Sequence, residues 1–325
     1  MPATVCHAYF CMEVYKKIKD FHRTIDSCDL VKFRMFGQNT DPFMFYNIEN
    51  FKRGKNIRDF QYYFHTHKSQ DFFLYMCHYI KDNQLYNCSE VLSFLYGFVC
   101  HYVLDSIVHP FVIYKTGEMD KNDINSYKYN CGHAYMETYL DNIIIKEKMH
   151  NTQPFHFRTD KYCFDLSPFS TSLDEVIDHS FSAVFSIDDM STIYYQSLRQ
   201  MKSFLFKYRY DSLGIKKFCY KIIDLFTSRS TFKFSCLSYH YMPDNTNYLN
   251  LLHQTWYNPI DLSIQSTKSF FDLYNDALEE AVSIIYKVNL FFDSEDILLD
   301  TVFSNKSYLT GLDCSKKIKY KKFEF

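Results

Sequence analysis

Apolar residues recur at three- and four-residue steps along most of the chain. The clearest case is 265–291, where Phe270, Phe271, Leu273, Leu278, Ala281, Ile284 and Ile285 line one side of a helix. The same periodicity predicts helices over 7–19, 131–148, 172–187, 190–208 and 212–227. It also predicts one long helix over 56–82, with Phe60, Phe64, Phe72 and Leu74 on its apolar side. Between Val91 and Tyr114 polar positions nearly vanish. A run of that length would suit a membrane span, but His101, Asp105 and His109 interrupt it. An Asp near the bilayer centre costs about 2.5–3.5 kcal/mol on insertion scales. The run therefore predicts a buried central helix over 89–109, with Ser89 as its N-cap and Pro110 ending it, and no transmembrane segment.

Composition narrows the fold class. The 325 residues are enough to bury a sizeable core. Only seven Gly and seven Pro leave too few turn residues for an all-β fold, so an all-α, multi-helix chain is expected. A formal charge of −2 supplies no basic field for nucleic acid or an anionic membrane, and no nucleic-acid partner is expected. The 11 cysteines are odd in number and form no CxxC pair. They read as thiols of a reducing compartment, and with no signal-peptide pattern at Met1-Pro2-Ala3-Thr4 the expected location is cytoplasmic. The polar stretch 115–130 reads as a surface loop, and 149–171, with Pro154 and Pro168, as the boundary between two halves. Five lysines after residue 315 read as a solvated end.

Candidate chemistry sits on the apolar helices. His101, Asp105 and His109 are four residues apart, so two imidazoles and a carboxylate stand in a column on one helix face. His133 and Glu137 repeat the spacing on the next helix, with Asp141 a turn further. One His/Asp pair four apart is ordinarily a surface pair. Two sets on consecutive apolar helices need compensation, because burying Asp105 and Glu137 bare costs several kcal/mol each. His nitrogen with carboxylate oxygen, and no Cys, suits zinc in a catalytic type of site. Upstream lie His7, the turn-like Asp41-Pro42, and the pair His65 and His67. These two are two apart and point in different directions, so one of them is expected to serve as a ligand.

Taken together, His7-Ala-Tyr-Phe, Gly37-Gln-Asn-Thr-Asp41-Pro42-Phe43, Phe64-His65-Thr-His67-Lys68, Tyr96-Gly97-Phe98 before His101-xxx-Asp105-xxx-His109-Pro110, and Gly132-His133-xxx-Glu137 resemble the zinc-dependent phospholipase C family. That family includes bacterial phosphatidylcholine-cleaving phospholipases and the catalytic half of clostridial alpha-toxin. The resemblance covers roughly 1–145. It implies a phospholipase C/nuclease-like helical domain, with residues 1–160 as the zinc-binding core and 161–325 as a helical second half packed on it, in the same domain or beside it. It further implies metal ligands at His7, Asp41, His65, His101, Asp105, His109, His133 and Glu137, with alignment on Lys68 favouring His65 over His67.

By the same resemblance, Asp41, His65, His101 and Asp105 would share one zinc, and His109, His133 and Glu137 a second. His7 would help hold a third, with Asp105 bridging. In the secreted enzymes that third ion is also held by an N-terminal Trp, where this chain has Met1-Pro2. The implied chemistry is metal-assisted phosphodiester hydrolysis, with Asp41 activating water and Glu137 holding its zinc and accepting charge, on a phospholipid or small phosphoester. Peripheral membrane contact is open to such an enzyme. The alternatives are a nuclease-type phosphoesterase on the same fold and a metal-stabilised helical binding protein without turnover.

Overall fold

The nearly unbroken apolar run becomes the axis around which the other helices pack. A computed structural model describes residues 4–49, 53–120, 123–149, 157–207, 213–227, 233–237, 246–293 and 296–324. In chain order the helices are α1 (Thr4–Ile18), α2 (Leu30–Phe36), α3 (Lys55–Thr66), α4 (Ser69–Asp82), α5 (Ser89–Thr116), α6 (Gly132–Ile143, running on as a π turn through Ile144–Lys148), α7 (Thr159–Tyr162), α8 (Thr171–Phe185), α9 (Met190–Lys207), α10 (Ile215–Leu225), α11 (Thr246–Leu249) and α12 (Phe270–Phe292). Among the described residues the sheet structure is one antiparallel pair, Trp256–Tyr257 against Gln265–Ser266. The fold is all-α, as the periodicity predicts.

Helix α5 passes through the middle, flanked by α1, α2, α6, α8 and α12. Its length and hydropathy would suffice to cross a bilayer, but protein encloses nearly all of it. Helix α12 covers its far side. It starts at a Ser269–Asp272 capping box and buries Leu273, Ala277, Ala281, Ile284, Ile285 and Val288. One continuous apolar core takes in both halves of the chain, from Val5 on α1 to Phe303 and Tyr308 near the C-terminus.

Four boundaries differ from the sequence reading, each for a physical reason. First, α5 does not stop at Pro110 but continues to Thr116, so Lys115 and Thr116 are buried helix rather than loop. Proline removes an intrahelical N–H and leaves the Ser106 carbonyl without its ladder partner. Here that carbonyl is covered by Gly311, so closely that a Cβ on Gly311 would lie 2.4 Å from the Ser106 oxygen. Burial on all sides outweighs the proline penalty, and His109 stays in register with His101 and Asp105. Second, the expected long helix 56–82 is two helices, broken where His67 is extended and Lys68 takes the left-handed conformation at φ +57°. The break frees the carbonyl of His65, which accepts from the backbone N–H of Tyr308 at 2.9 Å and the Ser307 hydroxyl at 3.2 Å. Third, Ser89 is the first residue of α5 rather than its cap, a position taken by Cys88; its hydroxyl accepts instead from the Asp26 amide. Fourth, the Pro-containing stretch 149–171 holds α7 and buries Phe157, Cys163 and Phe164, while Pro154 falls outside the described residues.

Candidate metal centre

Five segments converge beside the middle of α5. His7 comes from the first turns of α1, Asp41 from the 3-10 turn Asp41–Phe45, and His65 from the last turn of α3. His101, Asp105 and His109 come from α5, and His133 and Glu137 from α6. All but His133 are buried; the His133 side chain keeps 21% exposure. His67 is not in the group. It is exposed and stacks on Tyr63, so the two-residue offset separates it from His65 as side-chain geometry requires.

Asp41, His65, His101 and Asp105 form the deepest cluster. His101 Nε2 lies 2.9 Å from Asp105 Oδ2 and 3.8 Å from Asp41 Oδ2. His65 Nε2 lies 3.3 Å from Asp41 Oδ1 and 3.8 Å from Asp105 Oδ2. The two Nε2 atoms are 3.4 Å apart. Donor atoms about 2.0–2.1 Å from a tetrahedral zinc sit roughly 3.4 Å from one another. His7 joins from the other side of Asp105, its Nε2 3.1 Å from Oδ1, and its ring stacks on His101 at 4.1 Å. A further trio lies one turn along α5. Glu137 Oε1 is 3.2 Å from His109 Nε2 and 2.8 Å from His133 Nε2.

The protonation of these rings is legible from their other nitrogens. His65 Nδ1 lies 2.9 Å from the Gln61 carbonyl, His101 Nδ1 2.9 Å from the Gly37 carbonyl, and His109 Nδ1 3.0 Å from the Tyr308 carbonyl. A carbonyl only accepts, so each Nδ1 carries a hydrogen, and each Nε2 is the nitrogen turned to the carboxylates, with a lone pair for a metal whenever the ring is neutral. In the deepest cluster two such nitrogens and two carboxylates face one another. Neither Asp41 Oδ2 nor Asp105 Oδ2 accepts a hydrogen bond. With the rings neutral, four electron-rich groups in a dry site repel unless a cation sits among them, and this donor set is the borderline kind that zinc favours. The residues therefore fit the metal.

The carboxylates are held ionised. Burial by itself would raise Asp105, but His101, His109 and His7 overcome it and hold the carboxyl well below its usual range. Asp41 is likewise lowered against burial, by His101 and His65. Burial would lower His133, yet the Glu137 carboxylate and Glu118 push it up to about 10. Glu137 is held low, against burial, by His133 and His109.

A pH dependence of the metal-free protein follows from this last pair. His133 binds its proton more tightly when folded, so its contribution is whole below its ordinary 6.5 and is lost as the pH climbs towards about 10. Glu137 contributes fully above its ordinary 4.5 and loses that contribution as the pH falls. Chelator-treated protein should thus melt at a progressively lower temperature from pH 6.5 to pH 10. Glu137→Gln should flatten this slope in thermal scans; an unchanged slope would remove the pair as its source.

Several residues of the site carry no motif. Gln61, one turn before His65, donates to Asp41 Oδ1 at 2.9 Å and aims that carboxylate; its four-residue offset from His65 was the available signal. Gly97 lets α5 pass against the α2 C-terminus, where a Cβ would come within 2.8 Å of Phe36, and this places the Gly37 carbonyl on His101. Asp141 stands in none of the ligand groups among the described residues. Its Oδ1 accepts from the Cys6 amide at 2.8 Å and seats the start of α1 beside His7. Tyr308 reaches two ligand-bearing segments through its backbone alone, accepting from His109 and donating to the His65 carbonyl.

A family model described as zinc dependent phospholipase C matches residues 35–188. Every residue of the two clusters except His7 lies within the match. No curated protein and no solved structure matches the chain.

Proposed function

Through residues 35–188 the chain belongs to the zinc-dependent phospholipase C family, and from that premise we propose that it is a zinc-dependent phosphodiester hydrolase acting on a phospholipid or a related phosphoester. The observation that carries this reading is the pair of Nε2 atoms, 3.4 Å apart, facing two buried carboxylates. Asp41, His65, His101 and Asp105 would hold one zinc, and His109, His133 and Glu137 a second; His7 with Asp105 offers donors for a third. Zinc bound there supplies Lewis acidity, making water acidic enough to attack at neutral pH and offsetting charge on the phosphoryl group.

The chain's own groups do the rest. Asp41, ionised and aimed by Gln61, is the acceptor for the proton of the attacking water. Gly37, Gln61 and Tyr308 hold three imidazoles in the tautomer that presents Nε2. Glu137 keeps its trio together and takes up positive charge. The trio would bring three protein donors to a zinc, the number typical of catalytic rather than closed structural sites. On the spacing of its cysteines, the setting we propose is the cytoplasm.

The test combines elemental analysis with three assays run in parallel, on a soluble phosphocholine ester, a phospholipid vesicle and single-stranded DNA. Two or three zinc per chain and hydrolysis of one of the first two are expected. Asp41→Asn should lower turnover by about a hundredfold or more, the scale of a lost general base, while leaving the thermal midpoint within a few degrees. Bound zinc with no hydrolysis of any of the three would assign the chain to metal-stabilised binding proteins without turnover.

A further inference from the structure

Helix α10 faces the wrong way for a helix of a water-soluble core. Its apolar residues Ile215, Phe218, Ile222 and Leu225 recur at three- and four-residue steps and so form one stripe, which the next residue, Phe226, extends. That stripe points outward: Phe218 is 64% exposed, Ile222 43%, Leu225 81% and Phe226 87%, and Leu213 just before the helix is 79% exposed. The inward face holds Tyr220, packed on Ala134, and Asp224, which is buried. Asp224 Oδ1 and Oδ2 accept from the amides of Phe234 and Ser235 at 2.9 and 3.0 Å. These bonds pin the polar side inward, so the outward turn of the stripe is built in rather than accidental.

We propose that this stripe is a docking surface for an anionic phospholipid bilayer, and this rests on the phosphoester-hydrolase reading only for the relevance of lipid. Charge selects the occupant. Lys216 and Lys221 flank the stripe on its two sides, Lys217 turns inward over the Tyr135 ring, and the one carboxylate of the helix is the buried Asp224. Exposed apolar residues between lysines are the pattern of a helix lying in the plane of a membrane interface, its stripe among the acyl chains and its ammonium groups at the headgroups. A second copy docked symmetrically would set lysine against lysine, whereas anionic headgroups pair with them. Tyr220 rests on Ala134, the neighbour of His133, so the docking helix lies directly on the helix that brings His133 and Glu137 to the metal centre.

The experiment is co-sedimentation of the full chain with vesicles of phosphatidylcholine alone and of phosphatidylcholine doped with phosphatidylserine. Hydrolysis of a soluble phosphocholine ester, zinc content and oligomeric state are measured in parallel. Phe218→Ser with Ile222→Ser should weaken partitioning to the doped vesicles by about a hundredfold, since two apolar side chains leave the bilayer. Lys216→Glu with Lys221→Glu should weaken it by roughly fivefold or more per lysine and abolish its preference for the doped vesicles. Phe218, Ile222 and Lys221 are exposed and Lys216 is half-buried, away from the metal centre, so both double variants should keep the zinc and soluble-ester activity of the parent. Vesicle binding unchanged in both would overturn the proposal, as would a parent dimer that the stripe variant converts to monomer without loss of vesicle binding. If the parent hydrolyses no ester but the variants still lose the vesicles, the hydrolase reading fails and the docking surface stands.

Discussion

Asp105→Asn should strip the deepest cluster of its metal and lower phosphodiester turnover by at least about a thousandfold, a barrier increase of roughly 4 kcal/mol. Asp105 has oxygens within 3.8 Å of a ring nitrogen on each of His7, His65, His101 and His109, so one carboxylate serves four of the candidate ligands. Asn keeps the shape and one acceptor but removes the charge. The variant then keeps only Asp41 of the two anions that would offset a dication among three imidazoles, while the apolar packing of α5 is unaltered. The His109, His133 and Glu137 trio does not need Asp105 as a donor, so elemental analysis should show zinc reduced rather than absent. Asp141→Asn is the control. Asp141 is equally buried, but its Oδ1 serves the Cys6 amide, a bond that an Asn oxygen preserves. That variant should keep the parent's zinc. Full zinc in Asp105→Asn, or equal losses in both variants, would show that burial rather than coordination accounts for the carboxylate.

The contrast between these two aspartates marks what the sequence can and cannot reveal. Four-residue spacing on an apolar helix made His101, Asp105, His109, His133 and Glu137 visible, because a helix converts spacing directly into a shared face. Asp141 continues the same spacing, and only the position of α1 separates it from the ligands. The end of α3 at Thr66 and the left-handed Lys68 were not legible, since residues 56–82 are apolar-periodic throughout. The break is set by Ser307 and Tyr308, more than 240 positions away in the chain. Pro110 misled in the opposite sense. A local rule ends the helix there, and the tertiary contact with Gly311 carries it on. The choice of His65 over His67 follows from the same break, which leaves His65 on the inner face of the last turn and His67 outside the helix. Tyr308 had no signature at all, because its bonds to the site use main-chain atoms that any residue possesses.

That main-chain role makes the segment around Tyr308 a test of how much the metal centre owes to residues outside the family match. Its anchor is Gly311, with φ +65° and a built Cβ only 2.4 Å from the Ser106 carbonyl oxygen and 3.4 Å from Pro110 Cγ. Gly311→Ala brings a methyl group against backbone that cannot yield, in a conformation that L side chains disfavour by roughly 1–2 kcal/mol. The segment must lift from α5, and two ligand segments then lose support together. His109 Nδ1 loses the Tyr308 carbonyl that fixes its tautomer, and the His65 carbonyl loses the Tyr308 N–H. The expected cost is about 2–4 kcal/mol in chemical denaturation, combining strain with overpacking. Removing such outer-shell support typically weakens metal affinity 10–100-fold, and the loss should appear in chelator competition for zinc. The two readouts separate a structural role from a positioning one. A variant that is less stable yet holds zinc as tightly as the parent would confine residues 303–312 to packing. Weaker zinc at a denaturant concentration where the variant is still fully folded would place them in the support of the metal centre.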